Sequence, residues 1–351
     1  MNPALAFLRP KPHTVRPDTA VISHLWKIMD RRITLDDIRS AEQAIAGRVS
    51  RTPSVRSPGL TNHFGTSTAL KLETQQVAGC FKPRGIVNKI LSLSDDERAQ
   101  GLVTVSGGNH GIAVAKIASS MGLKATIVMP ETAPATSIAR IRADGAQLIL
   151  VPDAKTAFEI AESDQYKSQT YVHSYDDPLI IAGHGTLGLE FIADIPDLTD
   201  VLVSIGGGAL ISGVATAMKA LRPGLRVWGV ETEGADAMSQ ALAADHPVPI
   251  NVTSISSTLG APYVTERTLD HVKALVEDVL VVSDADAVEG VLTLAEEAKA
   301  WVEPAAGCLI PAAGTVIDRV GSQAVVGLVL CGGNISFGDI AGWVDRFNIR
   351  R

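Results

Sequence analysis

The stretch Lys71-Leu72-Glu73-Thr74-Gln75-Gln76-Val77-Ala78-Gly79-Cys80-Phe81-Lys82-Pro83-Arg84-Gly85 turns a strand into a helix across a glycine-containing corner. Residues 68–73 alternate and are partly apolar, as a short strand is. Beyond the corner, Ile86, Val87, Ile90 and Leu91 recur at the spacing of a helix with one buried face. Pro83 suits a first helical position and biases Lys82 toward an extended backbone. Lys82 therefore sits at a strand-to-helix corner, directly after Phe81. Helix starts collect anions, and a partly desolvated amine loses proton affinity. Those are the conditions of a lysine that forms a Schiff base. Alone, such a lysine is more ordinarily a solvated loop residue, so the decision rests on what the remaining chain places around it.

The chain has 351 residues, 46% hydrophobic and 20% charged, with a net charge of -7. That describes an ordinary globular protein of about two domains with ample core. The spread negative charge argues against a nucleic-acid surface. No apolar run of about 18 residues and no signal-peptide core is present, so no membrane partner is expected. Cys80, Cys308 and Cys331 lie far apart without a CxxC pair. This argues against a disulfide framework or zinc site and for a reducing, cytoplasmic compartment. Residues 1–32 read as an irregular N-terminal extension with a short helix near 22–29.

Further along, Thr34-Leu35-Asp36-Asp37 and Ser94-Asp95-Asp96-Glu97 read as capping boxes that open helices. Short apolar runs at 102–105, 125–129, 147–151, 170–173, 200–205, 226–231, 279–282 and 325–330 alternate with helical patterns such as 111–120 and 211–220. This alternation implies βαβ units and parallel sheets buried on both faces, an α/β protein. Three glycine turns fall where a strand ends. Gly206-Gly207-Gly208 with Ala209 and Leu210 is neither GxGxxG nor a Walker loop. It reads either as a phosphate cradle at a helix start or as a plain tight turn. Ser106-Gly107-Gly108-Asn109-His110 adds side-chain donors to a second turn, which serves equally as a binding loop or a helix cap. Cys331-Gly332-Gly333-Asn334 is the third. Ligands of open α/β sheets bind beyond the carboxyl ends of strands. One lysine corner with three such turns points to a phosphorylated small molecule held covalently, which narrows the cofactor toward pyridoxal phosphate.

At these residues the chain resembles the fold-type II pyridoxal-phosphate enzymes, and among them the serine/threonine dehydratases, with serine racemase a near relative. Carrying the resemblance are Lys71-Leu72-Glu73, Phe81-Lys82-Pro83-Arg84-Gly85, the 106–110 and 206–208 turns, Asp176-Asp177-Pro178, Gly183-His184-Gly185-Thr186-Leu187-Gly188-Leu189-Glu190, Val302-Glu303-Pro304 and Cys331-Gly332-Gly333-Asn334. The likeness spans about residues 33 to 335. It implies two domains with parallel-rich sheets flanked by helices, residues 33–97 with 178–351 holding the cofactor and 98–177 forming the smaller unit. It also implies roles. Lys82 would carry the cofactor as a Schiff base and take the α-proton of the substrate. Phe81 would pack on the pyridine ring, and Asn109 would bond the ring hydroxyl. Ser106, Gly107, Gly108, Asn109 and His110 would clamp the substrate carboxylate. Gly206, Gly207, Gly208, Ala209 and Leu210 would bind the phosphate, Cys331 would face the pyridine nitrogen, and Glu303 would line the substrate end.

The implied activity is loss of water from a small β-hydroxy amino acid such as L-threonine or L-serine, giving a 2-oxo acid and ammonia. A neutral thiol at Cys331, unlike a carboxylate, leaves the ring a weaker electron sink and favours prompt loss of a β-leaving group. The alternatives are a serine or aspartate racemase, a β-replacing transferase and a noncatalytic cofactor binder. Racemases of the family carry a serine at the position of Gly107, and sulfhydrylases follow the lysine with Asp-Arg rather than Pro83-Arg84. His173 and His184 read as satisfied core histidines. Some relatives hold a divalent cation through a glutamate placed like Glu231 and an acidic residue at the position of Ala237, so no metal is expected here. Only 335–351 follows the last motif, which implies a stand-alone catalytic unit, as a homodimer.

Overall fold

Two sheets carry the chain. The computed structural model describes residues 32–350, so the helix expected near 22–29 lies outside the described residues. The strands are β1 (Ser54–Arg56), β2 (Ser67–Leu72), β3 (Leu102–Val105), β4 (Ala125–Pro130), β5 (Gln147–Val151), β6 (Thr170–Tyr171), β7 (Asp200–Ser204), β8 (Arg226–Thr232), β9 (Asp278–Val282) and β10 (Val325–Leu330). They form a six-stranded sheet ordered β1-β2-β10-β7-β8-β9 and a four-stranded sheet ordered β5-β4-β3-β6. All pairs are parallel except β1 with β2. The sheets are parallel-rich, as expected, with one antiparallel edge. Three residues between Pro53 and Ser57 carry too little pattern to announce an antiparallel strand.

The apolar runs are strands because helices cover them. Val201, Leu202, Val203, Val227, Leu328 and Val329 are fully buried in the larger sheet, and Leu102, Val103, Ile127 and Val128 play the same part in the smaller. Beside the larger sheet the helices Pro178–Asp194 and Ala209–Leu221 pack together. Their approach requires glycine, since a Cβ on Gly213 would stand 2.4 Å from the Ile181 carbonyl oxygen. Both capping boxes form, with Thr34 and Asp37, and Ser94 and Glu97, exchanging side-chain and backbone bonds. Among the described residues, no helix is long and apolar enough to cross a membrane.

Register decides where the ligand turns meet. Leu330 of β10 stands opposite Leu72 of β2, so both strands end at the same level. The chain leaving each is stitched to the other: Phe81 N–H donates to the Cys331 carbonyl at 3.0 Å, and Cys80 bridges Gly332. β7 ends one strand over, where the Ser204 hydroxyl lies 3.4 Å from Cys331 Sγ.

Below the corner lies a buried ionic cluster that no sequence pattern announced. The Arg84 guanidinium holds both oxygens of Glu73 at 2.9 and 2.8 Å and both oxygens of Glu190 at 2.8 Å. Lys71 Nζ donates to Glu190 at 2.6 Å and to the Thr52 carbonyl at 2.7 Å. Burial lowers the Lys71 amine from its ordinary value. Burial also opposes ionisation of Glu190, yet the Arg84 guanidinium holds that carboxyl below its usual range. The two cations and two carboxylates balance, which is the condition for burying them.

Candidate active site

Lys82 opens the helix Pro83–Leu91 with φ -53 and ψ -37, an α-helical rather than an extended backbone. The backbone bonds of the first helical turn override the bias of the following proline: Ile86 N–H donates to the Lys82 carbonyl, and Arg84 N–H donates to that of Phe81. The side chain is half-buried, with Nζ donating to the Ser174 carbonyl at 2.9 Å. Desolvation lowers its amine to about 8.

Lys82 opens into a hollow beyond the strand ends. Lining it are Phe81, Asn109, Gly206, Gly207, Gly208, Ala209, Leu210, Glu303 and Cys331, together with Tyr175, Ser204 and Thr258. The hollow brings together segments from seven places in the chain. Ser106, Gly107 and His110 do not line this hollow. The Ser106 hydroxyl accepts the Gly108 N–H at 3.3 Å and shapes the turn. His110 Nε2 lies 3.0 Å from the Val172 carbonyl, and burial lowers its pKa to about 3, so the ring is neutral. Gly108 faces an adjoining hollow, and Asn109 borders both.

The 206–210 turn makes an anion seat. Gly208 has φ +93 and precedes the 13-residue helix Ala209–Leu221, whose first N–H groups face the hollow without a side-chain cap. A Cβ on Gly207 would stand 2.1 Å from Tyr175 Cγ, and one on Gly206 would stand 3.2 Å from the Leu259 backbone. Backbone alone fits there. Tyr175, which no motif singled out, closes this side from the segment after β6.

Opposite lie the neutral and acidic groups. Burial raises the Cys331 thiol to about 12, so it stays protonated. Glu303 Oε1 accepts from Asn109 Nδ2 at 2.7 Å and Thr258 Oγ1 at 3.2 Å, and burial raises its pKa to about 7. Asn109 Oδ1 in turn accepts from Asn334 Nδ2 at 2.6 Å. Thr258 and Asn334 complete a network that sequence alone does not reveal; the glycine turn at 331–334 is its one visible signal.

The two other histidines differ from each other. His173 Nδ1 accepts the N–H groups of Tyr175 and Asp176 at 3.1 and 2.8 Å, a satisfied structural role. His184 is fully buried, yet neither ring nitrogen has a partner, which corrects the expectation of a satisfied ring. It meets the Phe81 ring edge-on at 4.7 Å, and burial holds its pKa well below the ordinary value. Glu231 takes the N–H groups of Met238 and Ser239 at 2.9 and 2.8 Å, so its carboxylate caps the helix Ala237–Ala244.

A lysine of lowered pKa, a backbone turn open to an anion and a protonated thiol thus line one hollow at the strand ends of an α/β fold. The family model described as "Pyridoxal-phosphate dependent enzyme" matches residues 45–332. The chain is 37% identical over 306 residues to the L-threonine ammonia-lyase of Thermotoga maritima, covering 86% of this chain and 76% of that one. Among solved structures it is similar to maize serine racemase, with TM-score 0.83, 33% identity, and coverage of 89% of this chain and 97% of that one. The threonine deaminase of T.th. gives TM-score 0.81 and 35% identity, covering 87% of this chain and 99% of that one. The chain belongs to the pyridoxal-phosphate dependent enzymes, with the fold-type II architecture, and its cofactor is pyridoxal phosphate.

Proposed function

We propose that the protein eliminates water from a small β-hydroxy L-amino acid, L-threonine or L-serine in the first place, yielding a 2-oxo acid and ammonia. The observation that carries this reading is a buried amine of lowered pKa sharing one hollow with a glycine cradle and a protonated thiol. Phe81, Lys82, Asn109, Glu303, Cys331 and the 206–210 backbone would hold the cofactor, which when bound supplies an electron sink for the substrate α-carbon. Lys82 Nζ takes the α-proton, with the Ser174 carbonyl aiming the amine. The 106–110 turn orients the substrate carboxylate at the start of the helix Asn109–Ser120. Cys331, uncharged, withholds the counter-ion that would favour a longer-lived carbanion.

Gly107 disfavours the racemase alternative, since it has no side chain to return a proton. A Cβ there would lie 3.2 Å from the Ala133 methyl. We also read 98–177, which holds the four-stranded sheet, as the smaller domain, with 33–97 and 178–351 as the larger. Likeness to the dehydratases supports a homodimer. Three free, buried cysteines suit a reducing compartment.

A panel of β-hydroxy amino acids, read by 2-oxo acid release and by the chirality of recovered substrate, tests the function. Keto acid without inversion is expected; inversion without keto acid contradicts it. Two further outcomes follow from the geometry. Recapture of cofactor by the apoenzyme requires the neutral amine, so its rate rises about tenfold per pH unit and levels off near pH 8. A lysine of ordinary pKa would keep rising toward about pH 10.4. Gly207→Val drives a branched side chain into the Tyr175 ring, and equilibrium dialysis should show cofactor affinity falling roughly a hundredfold.

A further inference from the structure

We infer that a second hollow, which shares Asn109, Thr258 and Glu303 with the cofactor hollow, receives the substrate side chain and selects an uncharged hydrogen-bonding group over a carboxylate. This deepens the proposed function, because it names the substrate class of the same site. It rests on that reading only in taking the ligand to be an amino acid.

Among the described residues, two polar atoms along this hollow have no hydrogen-bond partner, Ser256 Oγ and Glu303 Oε2. Their residues are 2% and 3% exposed, so bulk water does not serve them. Buried polar groups are almost always paired. Two orphans beside one hollow, next to the reacting lysine, mark places where a ligand completes the bonding. Trp343 and Ile255 give the hollow apolar walls.

Charge then decides which ligand fits. The residues lining this hollow include the carboxyls of Glu303 and Asp339 and no lysine or arginine. Asp339 takes bonds from the N–H and hydroxyl of Ser336 and gains no cation. Arg140 donates to Asn334 Oδ1 but borders a different hollow. A second carboxylate on the side chain, beside the one the 106–110 turn receives, would meet like charge and find no cation among the residues lining the hollow. A carboxamide offers an N–H donor to Glu303 Oε2 and a carbonyl acceptor to the Ser256 hydroxyl. The preferred substrates are therefore β-hydroxy amino acids extended by a neutral polar group, 3-hydroxyasparagine rather than 3-hydroxyaspartate.

L-Asparagine and L-aspartate separate binding from turnover, because neither carries the β-hydroxyl that leaves. Their affinities for the holoenzyme are read from the absorbance of the bound cofactor. L-Asparagine should bind at least about tenfold tighter than L-aspartate, and Ser256→Ala should cut that ratio to about threefold or less. Should Ser256→Ala fail to retain cofactor, Glu303→Gln serves: it should improve L-aspartate relative to L-asparagine. Equal affinities, tighter L-aspartate, or an unchanged ratio in a cofactor-loaded variant overturns the inference. If L-serine and L-threonine release no keto acid while the L-asparagine preference holds, elimination fails and the side-chain hollow stands. Keto acid release without the preference upholds elimination and ends the assignment of the side-chain hollow.

Discussion

Lys82→Ala is expected to lower elimination of L-threonine roughly a thousandfold or more while leaving the far-ultraviolet circular dichroism unchanged. Two functions end at one atom. The covalent link to the cofactor is gone, and so is the base that takes the α-proton. The fold should survive, because Lys82 Nζ makes a single protein hydrogen bond, to Ser174, and its half-buried stem borders a hollow rather than the core. A small amine added to the variant should restore part of the rate, since it supplies a base without the tether. Loss of circular dichroism alongside activity would assign Lys82 a structural role instead.

The second large effect concerns stability. Arg84→Ala leaves Glu73 and Glu190 buried with Lys71 as their remaining cation, in a site where all four side chains are almost wholly excluded from water. Removing one partner of such a cluster costs about 3–5 kcal/mol, chiefly through the charge left uncompensated. Urea unfolding should show the midpoint falling accordingly. Arg84→Lys should recover only part of the loss, because an ammonium cannot reach both carboxylates through a planar fork. A loss below about 1 kcal/mol would mean that water enters the cluster and screens it. The cluster lies directly beneath the corner that presents Lys82, so a weakened Arg84 variant should also show reduced cofactor affinity.

Much of this was readable in the chain. Three runs, at 102–105, 147–151 and 325–330, are strands with the expected bounds, because parallel strands buried on both faces concentrate valine, leucine and isoleucine in short blocks. The lysine corner and the 206–208 turn were visible because glycine and proline constrain the backbone locally. What sequence could not show depends on register and on distant partners. Lys82 adopts a helical backbone because its carbonyl accepts the Ile86 N–H of the first turn, against the preference set by Pro83, and its amine is aimed by the distant Ser174 carbonyl. Tyr175 reaches the glycine cradle only because β6 ends beside it. The Arg84 cluster joins residues more than a hundred positions apart, from Lys71 to Glu190. His184, expected to be bonded, has no partner among the described residues; Gly85 lets its ring lie against the 83–91 helix, where a Cβ would stand 2.6 Å away.

The central claim is that one amine, Lys82 Nζ, carries the cofactor. Borohydride reduction of the holoenzyme, followed by proteolysis and mass spectrometry, reads the attachment point directly. The expected result is a pyridoxyl group on Lys82 in the peptide spanning the 71–85 corner, with loss of the visible absorbance. A pyridoxyl group on another lysine, or a cofactor that washes out of the reduced protein without modifying Lys82, would contradict it.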